Sequence, residues 1–215
     1  MNEILGYGED ALTFWALKSC LSEILEELND KTEPSDCLVF YRPSFGRRGG
    51  EGRAEFGEFD AILASSQNVY LIESKWDNSS QNEEAEIKLA EAQIRRHKIF
   101  AWYLKNWNTQ KYSGNWEKFK NDFESNFTST GNFPHKRIAP TGSRLAKDLE
   151  FVLNKLQEHG KKFSCEYRKP RNVLLYFYGN KSKEISKVTA EDLNFEVVNI
   201  NYSRYVSGNF ITLDC

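Results

Sequence analysis

The sequence predicts a mixed α/β fold, with helices on both faces of a central sheet. Three observations lead there. A helical stretch at the amino end is followed by three β-type apolar runs, then a second helical stretch, then a late apolar strand. Two of the early runs are separated only by Ser65-Ser66-Gln67-Asn68, a turn by composition, and so form a hairpin. Antiparallel strands first and a helix-linked strand later give a mixed sheet rather than strict βαβ alternation. The chain has no G-x-G-x-x-G after a strand and no G-x-x-x-x-G-K-[ST], so a dinucleotide or P-loop site is not expected.

Each element has its own reason. Ala11, Leu12, Phe14, Trp15, Leu17, Leu21, Ile24, Leu25 and Leu28 recur mostly at three- and four-residue steps, which predicts a first helix. Glu9 and Asp10 fall in its first turn, where the helix dipole favours acids, and Pro34 closes the region. Residues 37–41 read as a short buried strand, followed by a glycine- and arginine-rich loop over 44–53. Strands are predicted over 54–64 and 69–76, and a long helix over about 82–106. The asparagine- and aromatic-rich stretch 107–170 holds two weaker helices, 116–127 and 143–159, separated by Pro134, Pro140 and Gly142. A buried strand is expected over 173–178, with further strands over 195–200 and 210–213.

Composition bounds the function. With 215 residues, 40% hydrophobic and 28% charged, the chain suits one domain with a sizeable core, not a disordered or collagen-like polymer. No run approaches the roughly 20 apolar residues of a membrane span. The start, MNEILGYGEDALTF, lacks the basic and apolar regions of a signal peptide, so a cytoplasmic protein without a membrane partner is expected. Cys20, Cys37, Cys165 and Cys215, and His97, His135 and His159, lack zinc-site spacing, and reduced, mostly buried thiols are expected. The net charge of -2 argues against coating nucleic acid by bulk charge. Residues 1–40, however, carry nine acids and two bases, which leaves a mildly basic remainder able to present a basic face.

The chemistry concentrates in the hairpin. A turn centred between Ser66 and Gln67 sets Asp60 opposite Glu73, Glu58 opposite Lys75 and Ile62 opposite Leu71. Because side chains alternate faces, Glu58, Asp60, Glu73 and Lys75 gather on one side of an otherwise apolar ribbon. Two carboxylates facing each other at about 4.5–5.5 Å repel. A hard dication such as Mg²⁺, held by one or two carboxylates plus water and phosphate, removes that repulsion. Lys75 can hold or help deprotonate a water, or balance charge on a phosphate. A solvated surface with a Glu58–Lys75 ion pair gives the same pattern, but the apolar flanks 61–64 and 69–72 favour a buried site.

With Asp60 ending one strand and Glu73-Ser74-Lys75 on the next, the chain resembles the PD-(D/E)xK nuclease superfamily, with its restriction-endonuclease-like αβββαβ core. Phe59 stands where the family has proline. The resemblance covers about residues 5–106 and the late strand 172–178. It implies a single nuclease-like domain over 1–215, with a core of about 5–106 plus 171–215 and a helical insertion over about 107–170. It also implies a Mg²⁺-dependent nuclease, with Mn²⁺ as a substitute, favouring DNA over RNA and endonucleolytic cleavage, and compatible with a homodimer. In it Asp60, Glu73 and the Ser74 carbonyl would bind metal, and Lys75 would act on the water. Glu9 is nominated to complete the metal shell, with Glu23 and Glu27 as fallbacks; helix-dipole pairing explains Glu9 equally well. Gln93 matches an active-site glutamine of some members. Helical spacing supports it independently, since Gln93 and His97 sit amid Leu89, Ala90, Phe100 and Leu104. Catalytic silence on the same fold, with nucleic-acid or protein binding retained, is the alternative.

Arg42, Arg47, Arg48 and Arg53 bracket the glycine-rich loop and are the candidate phosphate contacts. Arg95 and Arg96 are expected on the helix flank away from Gln93. Lys161, Lys162, Arg168, Lys169 and Arg171 form a second basic cluster, and Trp102, Trp107, Tyr112 and Trp116 could stack on bases or simply pack.

Overall fold

The computed structural model of the chain describes residues 4–45, 57–77, 86–129, 137–179, 182–207 and 210–213. In chain order the elements are β1 (Leu5–Tyr7), α1 (Gly8–Ser19), α2 (Leu21–Glu27), β2 (Leu38–Tyr41), β3 (Ala61–Ala64), β4 (Val69–Trp76), β5 (Glu86–Lys88), α3 (Glu91–Asn106), α4 (Thr109–Tyr112), α5 (Trp116–Ser129), α6 (Arg144–Lys162), β6 (Arg171–Tyr178), β7 (Lys187–Thr189), β8 (Phe195–Asn201), β9 (Val206–Ser207) and β10 (Phe210–Thr212).

The central sheet has the order β2-β3-β4-β6-β8, antiparallel across β2, β3 and β4 and parallel across β4, β6 and β8. The mixed sheet flanked by helices is therefore as the sequence predicts. The hairpin pairs Ala61 with Ile72, Ile62 with Leu71, Leu63 with Tyr70 and Ala64 with Val69, the register that follows from the turn alone. Side-chain alternation then sorts the two cores. Ala61, Leu63, Tyr70, Ile72, Val173 and Leu175 meet α1 and α2. Ile62, Ala64 and Leu71 meet α3 and α6. Leu149, Val152, Leu153 and Leu156 bury one stripe of α6, each worth about 1.5–3 kcal/mol. The predicted insertion is thus no appendage: its last helix covers one face of the sheet. Trp107, Tyr112 and Trp116 are buried in that same core, so packing occupies them rather than base stacking.

Several expectations are corrected. The first helix is two, broken at Cys20. Residues 37–41 form not a buried strand but a half-buried edge strand. The second strand begins at Ala61, because the chain bends at Asp60. The long helix begins at Glu91; Glu86–Lys88 instead pair in parallel with Lys187–Thr189, a hundred residues away. Leu5–Tyr7, read as a preface to the helix, pair with Phe210–Thr212 and tie the first helix to the far end of the chain.

At the turn end of the hairpin, Asp30 is only 5% exposed. It accepts from Thr32 N (3.0 Å), Thr32 Oγ1 (2.6 Å), Tyr70 OH (2.6 Å) and the Ser65 hydroxyl. Burial pushes its pKa up, but the hydrogen bonds from Ser65, Thr32 and Tyr70 outweigh it and hold the carboxyl below the usual carboxylate range. Asp30→Asn replaces a fully used acceptor with a group that donates toward donors. It should lower stability by about 1–3 kcal/mol, read as a shift in urea midpoint without change in slope.

Candidate active site

The opposite, open end of the hairpin brings together residues from four elements. Just before β3, the bend at Asp60 turns its carboxylate toward β4, where Oδ2 accepts from the Ser74 backbone N–H at 2.7 Å. Among the described residues Asp60 makes no ion pair, and its Oδ1 has no hydrogen-bond partner. Burial, then the charge of Glu73, pushes the Asp60 pKa up to about 7, against the smaller pull of the Ser74 N–H and Lys75. The charge of Glu73 is thus the second cause of that rise, after burial.

Glu73 is 1% exposed and held by three side chains of α3. Its Oε2 accepts from Gln93 Nε2 at 2.8 Å. Its Oε1 accepts from Arg96, at 2.5 and 3.2 Å, and from His97 Nε2 at 3.1 Å. Burial raises the Glu73 pKa, but the His97 hydrogen bond and the Arg96 charge prevail and lower it. The other ring nitrogen, Nδ1, lies 2.8 Å from Asn172 Oδ1 on β6. Gln93 is itself held, its Oε1 accepting from Ala90 N at 3.0 Å at the start of α3.

Lys75 donates to the Ser74 carbonyl at 2.7 Å and to Glu9 Oε1 at 3.4 Å. Glu9, in the first turn of α1, also accepts from the Trp76 backbone N–H, and burial raises its pKa over the opposing pull of Lys75. Of the sequence-predicted residues, Asp60, Glu73, Ser74, Lys75, Gln93 and Glu9 thus converge on one place.

Other expectations differ. Glu58 does not pair with Lys75: with the ladder starting only at Ala61, Glu58 bridges Ser44 and accepts from Arg42 Nε at 2.7 Å. Arg42 also pairs with Asp10, so its guanidinium serves two carboxylates of the fold. Arg47, Arg48 and Arg53 lie outside the described residues. Arg171, of the second cluster, is spent on Glu196, Tyr70 OH and the Leu28 carbonyl. Arg96, expected to point away from Gln93, instead neutralises Glu73. It lies over the Phe59 ring at 5.2 Å and beside Gly57, where a Cβ would come within 2.9 Å of its Nη1. Gly57 has φ +92°, a left-handed conformation that glycine adopts without the steric cost of a Cβ. The spacing Gln93, Arg96, His97, Phe100 is i, i+3, i+4, i+7, one helical face, and was the signal for Arg96.

The described residues contain no group of three or more His, Cys, Asp or Glu side chains placed to hold a metal ion by themselves. The oxygen atoms available to a hard cation are Asp60 Oδ1, the second acceptor position of Glu73 Oε2, and the Ser74 carbonyl now bonded to Lys75. Comparison with protein-family models, with curated proteins and with solved structures finds no match. No helix among the described residues is long and apolar enough to cross a membrane.

Proposed function

We propose that the chain is a divalent-metal-dependent nuclease of restriction-endonuclease-like fold that hydrolyses phosphodiester bonds, with DNA the favoured substrate and internal cleavage the favoured mode. One observation carries the reading: Asp60, Glu73 and Lys75, supported by Glu9 and Gln93, converge at the open end of a central hairpin whose apolar flanks are buried. The order of helix, three antiparallel strands, helix and parallel strand supports the fold assignment.

The donors fit Mg²⁺, or Mn²⁺ in its place, in kind. They are all oxygens, and an ion of this type takes one or two carboxylates and fills its shell with water and phosphate. Asp60, Glu73 and the Ser74 carbonyl would hold it, with Glu9 beside them. When bound, it would polarise a phosphoryl oxygen and favour ionised water. The remaining work falls to this chain's own groups. The Lys75 ammonium is held by a carbonyl and a carboxylate, ready to orient a water or to offset charge gathering on a phosphate. Gln93 fixes the Glu73 carboxylate, and His97, backed by Asn172, fixes it from the other side.

A second reading has its own observation. Arg96 already supplies Glu73 with a positive charge, which suits a catalytically silent nucleic-acid- or protein-binding module that needs no ion. Calorimetric titration with Mg²⁺ and Mn²⁺, alongside cleavage of plasmid and linear DNA, separates the two. The nuclease reading expects ion binding and metal-dependent nicking. Salt-sensitive DNA binding with neither response would establish the silent module.

A further inference from the structure

The three short strands β1, β10 and β9 form a small sheet with two unlike faces. Ile211, from the middle of β10, turns inward to the core shared with α1. The outward positions are Leu5, Tyr7, Phe210 and Thr212, paired as Leu5 with Thr212 and Tyr7 with Phe210. An antiparallel sheet with one solvated face ordinarily shows polar groups there. Here three of the four are large and apolar, with Tyr7 58% and Phe210 46% exposed. Such a contiguous exposed patch marks an interaction surface.

Its position says what it meets. The Tyr7 and Phe210 rings lie 5.6 Å apart, and Trp76 abuts the Tyr7 ring edge-on at 5.7 Å. Trp76 follows Lys75 directly and its backbone N–H binds Glu9, while Tyr7 lies two residues before Glu9. Glu9 thus links the two: it accepts from Lys75, while the Trp76 ring sits on the face of β4 that packs toward α1, against the Tyr7 ring. A phosphodiester at Lys75 would carry its neighbouring nucleotide onto these rings, and aromatic rings hold exposed bases by stacking.

We propose that Tyr7 and Phe210, with Trp76 behind them, form a stacking ledge for an unpaired base, so that the substrate is single-stranded or locally unpaired DNA. This rests on the nuclease reading for its location, and its test is independent of cleavage. Anisotropy of a labelled short oligothymidine is followed in chelator, against a blunt duplex. Wild type should prefer the single strand. Tyr7→Ala and Phe210→Ala should each weaken single-strand binding by about tenfold or more, the loss of one stacked base. Tyr7→Phe, which keeps the ring, should bind like wild type, and duplex binding should move little in any variant. Both positions are exposed, and an unchanged melting temperature checks that the fold survives.

Single-strand binding unchanged in both alanine variants overturns the ledge, as does a wild-type dimer that Tyr7→Ala dissociates, since the patch would then face a second copy. Metal-dependent cleavage together with ring-independent binding leaves the nuclease reading standing and removes the ledge. Ring-dependent binding without cleavage under Mg²⁺ or Mn²⁺ does the reverse.

Discussion

Replacing Arg96 with leucine is expected to cost the fold about 3–5 kcal/mol, the loss that follows when one partner of a buried ion pair is removed and the other stays. The reason is local. Glu73 is 1% exposed and ionised, and Arg96 is the only fixed cation within ion-pair distance among the described residues, His97 being charged only when protonated. Gln93 and His97 would still donate to the carboxylate, which holds the loss to the lower part of that range. Adding Glu73→Gln to Arg96→Leu should recover most of the stability, since the stranded charge goes with it. Urea unfolding of the two single variants, the double variant and wild type measures this directly. On the nuclease reading, Mg²⁺ should also raise the urea midpoint of Arg96→Leu more than that of wild type. An Arg96→Leu protein as stable as wild type would mean that Glu73 is neutral in the fold.

The second large effect concerns Asp60 and Lys75. Asp60→Asn and Lys75→Ala should each lower metal-dependent DNA cleavage by about 10²–10⁴-fold, the range for a positioned group lost from a reacting centre. Stability separates the two. The folded Asp60 carboxyl binds its proton more tightly than the unfolded chain does, with a pKa of about 7 against 3.8. Its contribution is therefore fully present below about pH 3.8 and is lost as pH rises through about 7. Asp60→Asn, which cannot ionise, should flatten that fall and be at least as stable as wild type at pH 8. Thermal melts across pH 4–8 test the sign, and a wild-type stability that rises through this window while Asp60→Asn matches it would refute the assignment. Mg²⁺ binds the ionised form, so on the nuclease reading its stabilising effect should be larger at pH 8 than at pH 5.

Much of this site was legible because its logic is local. The register of β3 and β4 over Ala61–Ala64 follows from a four-residue turn, and it brings Asp60, at the bend just before the ladder, to the Ser74 N–H of β4. Gln93, named by the family resemblance and supported by helical spacing, and His97, its neighbour on the same apolar face, both reach Glu73. What was missed depends on distant partners. The pairings of β5 with β7 and of β1 with β10 join segments about a hundred and two hundred residues apart, and three-residue strands carry too little alternation to announce themselves. Arg96 was placed on the helix flank away from Gln93; a buried carboxylate on β4 draws it to the same side. Glu58 was given the wrong partner because the ladder was extended past the bend at Asp60.

The pairing of Leu5–Tyr7 with Phe210–Thr212 closes a loop of about two hundred residues. The entropy of closing so long a loop must be met before the contact returns anything, so this small sheet should be among the later parts of the fold to form. Amide protection during refolding that reaches β1 and β10 after the central hairpin would show that order.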